Sequence, residues 1–210
     1  MDSSEPMQPI AHIWRNTGQS VRDFVADKRA LAATEFAVIV PLMLVMFFGT
    51  IEFSSAVAVD RKVTMIARTL SDLTSQSTGV NDGDMQDTFT ASISIVMPYD
   101  PTLVNGTVVQ IKIDSSSVAK VQWSKSATIA NGATQATLTA PPSSLAPGTT
   151  VTSMIPSTLL IPSTYLIFSQ ASYAYTPPVT FFLKSGITLS DVSYTRPRQV
   201  TCVSYNNVAC

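Results

Sequence analysis

Apolar residues dominate one stretch of this chain. From Phe36 to Ile51 it reads FAVIVPLMLVMFFGTI without a charge, and between Ala30 and Val59 only Glu35 and Glu52 carry one. A bilayer core of about 30 Å takes about 20 mostly apolar residues in a helix, so this segment predicts a single spanning helix. A cleaved secretory signal fits less well, because its apolar core is short and follows a short basic start. Here the apolar run begins only after a leader of residues 1–30. Beyond Phe53 the pattern changes: Val59, Val63, Ile66, Leu70 and Leu73 recur at alternating spacings of four and three. That is one apolar stripe on a polar helix. Span and stripe together predict one helix of about 40 residues, whose outer half lies on the domain that follows. Turn residues between Ser75 and Gly83 end it.

Two periods compete in DMQDTFTASISIVMP, residues 84–98. Met85, Phe89, Ile93 and Val96 suit a helix, whereas Phe89, Ala91, Ile93, Ile95 and Met97 suit a strand. The helix is favoured, capped by Asp84 and stopped before Pro98. Val109, Ile111 and Ile113 then alternate with polar neighbours, as do Ala119, Val121 and Trp123, and Ser115, Ser116 and Ser117 join the two runs into a hairpin. Residues 130–163 are loop-like, with PPSSLAPGTT the most so. Tyr165–Tyr175, Ile187–Tyr194 and Val200–Tyr205 predict three more strands. The expected class is α+β: a long transmembrane helix, continuing as an amphipathic stalk, packed on a mostly antiparallel sheet domain. The expected divisions are a leader at 1–30, the helix at 31–77 and the sheet domain at 78–210.

Composition narrows the function. Hydrophobic residues make up 45% and charged ones 13%, a balance that points toward lipid, while the net charge of −1 with no basic face argues against a nucleic-acid partner. Arg15, Arg22, Lys28 and Arg29 precede the span and Arg61, Lys62 and Arg68 follow it, a slight bias under the positive-inside rule. The contrast between a short unpatterned leader and a strand-rich domain sets the N-terminus in the cytoplasm and the domain outside. Cys202 and Cys210, with seven residues between them, fit neither a redox pair nor a zinc knuckle. Outside the cytoplasm they either close a small disulfide loop or remain two thiols near the terminus.

Catalytic chemistry is sparse. His12, the only histidine, sits in the leader, so the outer domain lacks the base of a Ser-His-Asp triad and any histidine metal ligand. No phosphate-cradling glycine motif occurs. Asp82 and Asp84 around Gly83 fall short of a calcium loop and read as turn residues. No cofactor is expected, and the chain is read as non-enzymatic. Two residues stand out in the span. Glu35 is either an interfacial residue or a carboxylate that meets a partner, and Pro41 withdraws a helix bond from the carbonyl of Ala37.

The segment RALAATEFAVIVPLMLVMFFGTIEFSSA resembles the N-terminus of the TadE-like pilus assembly proteins, small pseudopilins of the tight-adherence (Flp, type IVb) pilus machinery. The shared pattern is a small residue (Ala30), four variable residues, Glu35 and Phe36, an early Pro41, and Gly49 with Glu52. The closing stretch also resembles that family, at Tyr173–Pro178 and Tyr194–Pro197. The resemblance implies cleavage by a prepilin peptidase between Ala30 and Leu31, although cleaved members usually carry glycine where this chain has Ala30. It also implies that Glu35, Phe36 and Pro41 serve assembly, with Glu35 pairing with the new α-amino group of a neighbouring subunit. The implied partners are other Tad pilus components, the peptidase and membrane lipid, at a bacterial inner membrane with the domain in the periplasm. An uncleaved anchored assembly factor is a second reading. A ligand-binding or enzymatic domain on a signal anchor is a third, and it predicts a concave polar pocket beyond Asn81.

Overall fold

The computed structural model describes residues 28–177 and 186–208. Helix α1 runs from Lys28 to Ser75, with Pro41 inside it. Contacts divide the chain into two units, one ending at Ile51 and the other beginning at Glu52.

In the second unit, α1 from Glu52 onward is followed by β1 (Gly79–Val80), α2 (Asp82–Ile93), β2 (Val104–Ile113), β3 (Ala119–Thr128), β4 (Thr137–Thr139), β5 (Thr164–Tyr175), β6 (Ile187–Thr195) and β7 (Ser204–Tyr205). Five strands form one antiparallel sheet in the order β4-β3-β2-β5-β6, while β1 and β7 pair in parallel as a separate two-stranded sheet. The layout is α+β, as the hydrophobic pattern predicts.

One sheet face is covered by the helices. Val59, Val63, Ile66, Ala67 and Leu70 of α1 and Met85, Phe89 and Ile93 of α2 are fully buried there, against Val104, Val108, Ile167 and Ala171. Burying an aliphatic side chain of this size contributes about 1.5–3 kcal/mol, so the stripe holds α1 down without help from propensity. The expected last member, Leu73, is 36% exposed. It lies about 90° around the helix from the centre of the buried face, which falls at Val63, Leu70 and Thr74. Buried Ser71 and Thr74 take over that end: the Ser71 hydroxyl donates to Ser193 Oγ at 2.9 Å, and Thr74 Oγ1 donates to the Leu70 carbonyl at 2.8 Å. Further along, Ser169 Oγ of β5 donates to the Ala67 carbonyl. Gly106 sits where β2 meets both helices, and a Cβ there would lie 3.1 Å from the Phe89 ring and 3.2 Å from Leu70 Cδ1. A side chain there is accommodated only if those two side chains give by a few tenths of an ångström.

The ambiguous segment is helical, but its cap is Asn81 and not Asp84. Asn81 Oδ1 accepts from Asp84 N at 3.0 Å, and Asp84 Oδ2 accepts from Asn81 N at 3.0 Å. This reciprocal box places Asp84 at the third helical position, where its charge also suits the helix dipole. Lys62 finishes the other end by donating to the carbonyls of Ile95 and Met97, at 2.9 and 2.7 Å.

The opposite sheet face has a second core. Val109, Ile111, Ile113, Ala119, Val121, Leu166 and Phe168 pack under Leu145, Val151 and Ile155, supplied by the stretch that reads as loop. Three short 3-10 turns, at Ser143–Leu145, Thr152–Met154 and Ser157–Leu159, shape that cover. The hairpin itself departs from simple alternation. Gln110 pairs with Trp123 but Ile111 with Val121, so Gln122 is an extra residue in β3. The bulge reverses the faces. Ala119 and Val121 enter the second core, whereas Trp123 enters the first.

That reversal lets Trp123 hold the C-terminal segment. Its Nε1 donates to the Val203 carbonyl at 3.0 Å, and Gln110 Oε1, fully buried, accepts from Val203 N at 2.8 Å. Side chains therefore satisfy the backbone where Val200–Tyr205 predicts a full strand, and only Ser204–Tyr205 is one. Beyond it, Asn206 N donates to the Val80 carbonyl at 2.9 Å. Upstream, Arg198 donates through its backbone N to the Ser75 carbonyl at 2.9 Å, at the end of α1, and through its guanidinium to Asp72.

Tyr205 completes the clasp. Its hydroxyl donates to Asp82 Oδ1, Lys125 Nζ lies 3.2 Å from the same oxygen, and the Trp123 and Tyr205 rings are 5.2 Å apart. The Tyr205 and Lys125 hydrogen bonds hold the Asp82 carboxyl below its ordinary range. Burial, followed by the Asp82 bond, pushes the Tyr205 phenol well above its own. A raised phenol pKa stabilises the fold fully below about pH 10 and loses that contribution as pH rises through the folded value. A depressed carboxyl pKa stabilises it above about pH 4, and that share is lost as pH falls through the folded value. We expect Tyr205→Phe to flatten the fall in melting temperature on both sides, most of all above pH 10. Identical pH profiles for the two proteins in detergent would disprove this.

Candidate functional site

The unit that ends at Ile51 consists, in its described part, of helix alone. From Leu31 to Ile51 none of the residues is buried: Phe36 is 68% exposed, Val38 73% and Leu42 63%. The mean hydropathy of its best 18-residue window is 2.2. A helix that is apolar on every side is made for lipid or for the interior of a helix bundle, since water does not favour so large an exposed apolar surface.

Glu35 interrupts this surface. Its neighbours one turn away are Leu31, Ala32, Val38 and Ile39, so its own helix offers no cation within a turn. Thr34 is engaged, with Oγ1 donating to the Leu31 carbonyl at 2.8 Å. Phe36 and Pro41 lie about 100° and 240° around the helix from Glu35, so the three residues do not converge. Pro41 leaves the Ala37 carbonyl without its helix bond, yet α1 is continuous through it. The Ala30–Leu31 bond falls in the first turn of α1, where helix ends fray. The Ala30 side chain lies outside the described residues, and Leu31 is 61% exposed. Pro178 and Cys210 are likewise outside them. Cys202 is disulfide-bonded, and Gln110 Nε2 is 3.2 Å from its sulfur.

The second unit begins with a carboxylate whose environment the sequence pattern did not reveal. Glu52 is 4% exposed, and neither carboxylate oxygen has a hydrogen-bond partner. The buried Tyr175 hydroxyl is also without one. Burial first, then the facing Tyr99 and Glu52, hold this phenol above its ordinary range. A signal for Glu52 existed: counting back seven residues from Val59 along the stripe reaches it, so it belongs to the buried face.

Other groups in this unit are already committed to structure. A polar groove of about 290 Å³ is lined by Thr78, Gly79, Val80, Asn81, Asp84, Ser204 and Asn207. Its Asn81 and Asp84 side chains are consumed by the α2 capping box. Among the described residues no group of three or more His, Cys, Asp or Glu is placed to hold a metal.

A buried polar group without a partner costs about 1–3 kcal/mol on the mutational scale. Glu52→Leu is therefore expected to raise the unfolding free energy of the detergent-solubilised chain by an amount of that order. Glu52→Gln, which leaves a polar group in place, should gain less. A loss of stability in Glu52→Leu, measured by chemical denaturation, would show that the carboxylate is compensated.

No curated protein and no solved structure matches the chain. One family model, described as TadE-like protein, matches residues 31–70. The match takes in the exposed apolar helix, Glu52 and the buried stripe as far as Leu70. Over residues 31–70 the chain is thus similar to TadE-like proteins, in line with the resemblance that its sequence carries.

Proposed function

We propose that the chain is a non-enzymatic minor pseudopilin of a Tad (Flp, type IVb) pilus, inserted in a bacterial inner membrane with its sheet domain in the periplasm. The observation that carries this reading is the division of α1. Residues 31–51 are apolar on all sides and unburied, while the residues after Glu52 are committed to a folded domain. Such a helix can lie in lipid before assembly and among other helices after it. Other pilus subunits and membrane lipid are then its partners.

Within this reading, a prepilin peptidase cuts between Ala30 and Leu31, and Glu35 becomes the fifth residue of the mature chain. An ionised carboxylate in an apolar bundle needs a cation, and α1 supplies none within a turn. The new α-amino group of a neighbouring subunit meets that need and sets the register of helices that otherwise present only apolar side chains. Phe36 and Pro41 act on other faces of the same helix. Closure of a loop between Cys202 and Cys210 fits a periplasmic location.

The intact mass of the membrane-extracted protein tests processing: loss of residues 1–30 is expected, and a full-length mass favours the uncleaved anchored factor instead. In a strain with the processed protein, Glu35→Gln is expected to reduce piliation at least tenfold while leaving membrane insertion unchanged. Normal piliation by that variant would remove the pairing role.

A further inference from the structure

The two edges of the five-stranded sheet are treated differently. On the β3 side, β4 pairs with Ser126–Thr128, and the stretch around Thr149 bonds to Val121 and Ala119: Val121 N donates to the Thr149 carbonyl at 2.9 Å, and Gly148 and Val151 donate to the carbonyls of Val121 and Ala119, at 2.8 and 2.9 Å. That edge is closed by the chain itself. On the other side, β6 has nine residues and, among the described residues, no strand beyond it.

The open edge has a defined pattern. Since Val121 and Ala119 bond away from β2, the antiparallel alternation carried through β2 and β5 turns Thr188, Ser190, Val192 and Tyr194 of β6 away from β5. One of the donors on that edge is blocked within the chain, because Val192 N donates to its neighbour Asp191 Oδ1 at 2.8 Å. An inward-turned charge of this kind is a device that keeps an open edge from pairing indiscriminately.

Beside the edge runs a groove of about 370 Å³, lined by Arg68, Thr69, Ser71 and Asp72 of α1 and by Ser193 and Thr195 of β6. Its lining is polar and its side chains short, apart from Arg68. Arg196 follows β6 directly and is exposed, while Asp72 is already paired with Arg198. Among the described residues neither Arg68 nor Arg196 has an ion pair. Among the described residues the end of β6 is thus a backbone edge without a strand partner, flanked by guanidinium groups without an ion pair.

We propose that β6 is a strand-addition site for an extended, acidic segment of another protein. The segment's backbone would bond to Ser190, to Tyr194 and to the carbonyl of Val192, whose N–H stays with Asp191, and a carboxylate opposite Ser193 or Thr195 would reach Arg68. Main-chain bonds supply affinity in this mode of binding, and the flanking side chains supply selectivity. A second copy of this chain is a poorer occupant. β6 and α1 run in the same direction, as the Ser193–Ser71 bond and the Arg198–Ser75 bond after it show. Antiparallel β6–β6 pairing would set the two α1 segments from Glu52 onward in opposite directions. The inference stands on the sheet edge and is independent of the reading of residues 31–51.

The test uses the full chain in detergent and a synthetic ten-residue peptide of alternating Thr and Val with two Thr replaced by Asp. The expected result is at least tenfold slower amide exchange at Ser190 and Tyr194, at least tenfold weaker peptide binding by Arg68→Glu, and loss of binding in Ser190→Pro, which removes an outward N–H at an edge position. Equal binding of a counterpart peptide carrying Lys for Asp would overturn the proposal. So would unchanged exchange at these amides with millimolar peptide, or their protection by raised chain concentration alone, which would assign the edge to a second copy.

Discussion

The second half of α1 must bury one stripe on one face of the sheet, and the remainder of the domain is organised by that contact. Val59, Val63, Ile66, Ala67 and Leu70 lose all their solvent exposure in it. Burial of apolar area has no direction of its own, so polar contacts set the helix's position along the sheet. Ser169 reaches the Ala67 carbonyl, Ser71 meets Ser193, and Arg198 closes the last turn at Ser75. Gly106 eases the approach, since a Cβ there would sit tightly at 3.1 Å from the Phe89 ring and 3.2 Å from Leu70 Cδ1.

A sheet with helices on one face still has another face to cover. Here the Pro-, Ser- and Thr-rich stretch around residues 143–160 supplies Leu145, Val151 and Ile155 to it, which accounts for β2 and β5 being buried on both sides. The single extra residue Gln122 divides the β3 side chains between the two cores. It also aims Trp123 at Val203, so that the C-terminal segment is held by an indole, a buried Gln110 and the Tyr205–Asp82–Lys125 cluster. Local chain geometry and long-range closure are coupled through that bulge.

Along α1 the same residue types serve opposite ends. Before Glu52 apolar side chains stay unburied on every side, and after it one stripe of them is fully buried while Phe53, Met65 and Leu73 stay exposed. Glu52 stands at the change, buried and unpartnered, while Glu35 stands in the exposed part with no cation within a turn of it on its own helix. An apolar surface that the chain does not bury coincides with the segment, residues 31–70, that is similar to TadE-like proteins, and the proposed assembly role rests on that coincidence.

Much of this was determined by the sequence alone. The long apolar helix follows from its uninterrupted apolar run. The α1 stripe, the hairpin, β5 and β6 follow from periodicity, because 3.6-residue and two-residue repeats report directly on which face is buried, and α2 from its cap and stop signals where two periods compete. Glu35, Phe36 and Pro41 were legible as a pattern within the apolar run. Other features were decided only by tertiary structure. Asn81 and Asp84 share the α2 cap, so either residue satisfies a search for a capping side chain. Trp123 changes face through one inserted residue that leaves no mark on composition. Val200–Val203 has strand-like residues but finds side-chain partners first. The open edge of β6 and the isolation of the Glu52 carboxylate depend on which neighbours arrive in space. Periodicity states which side of an element is apolar; it carries no information about what lies across from it.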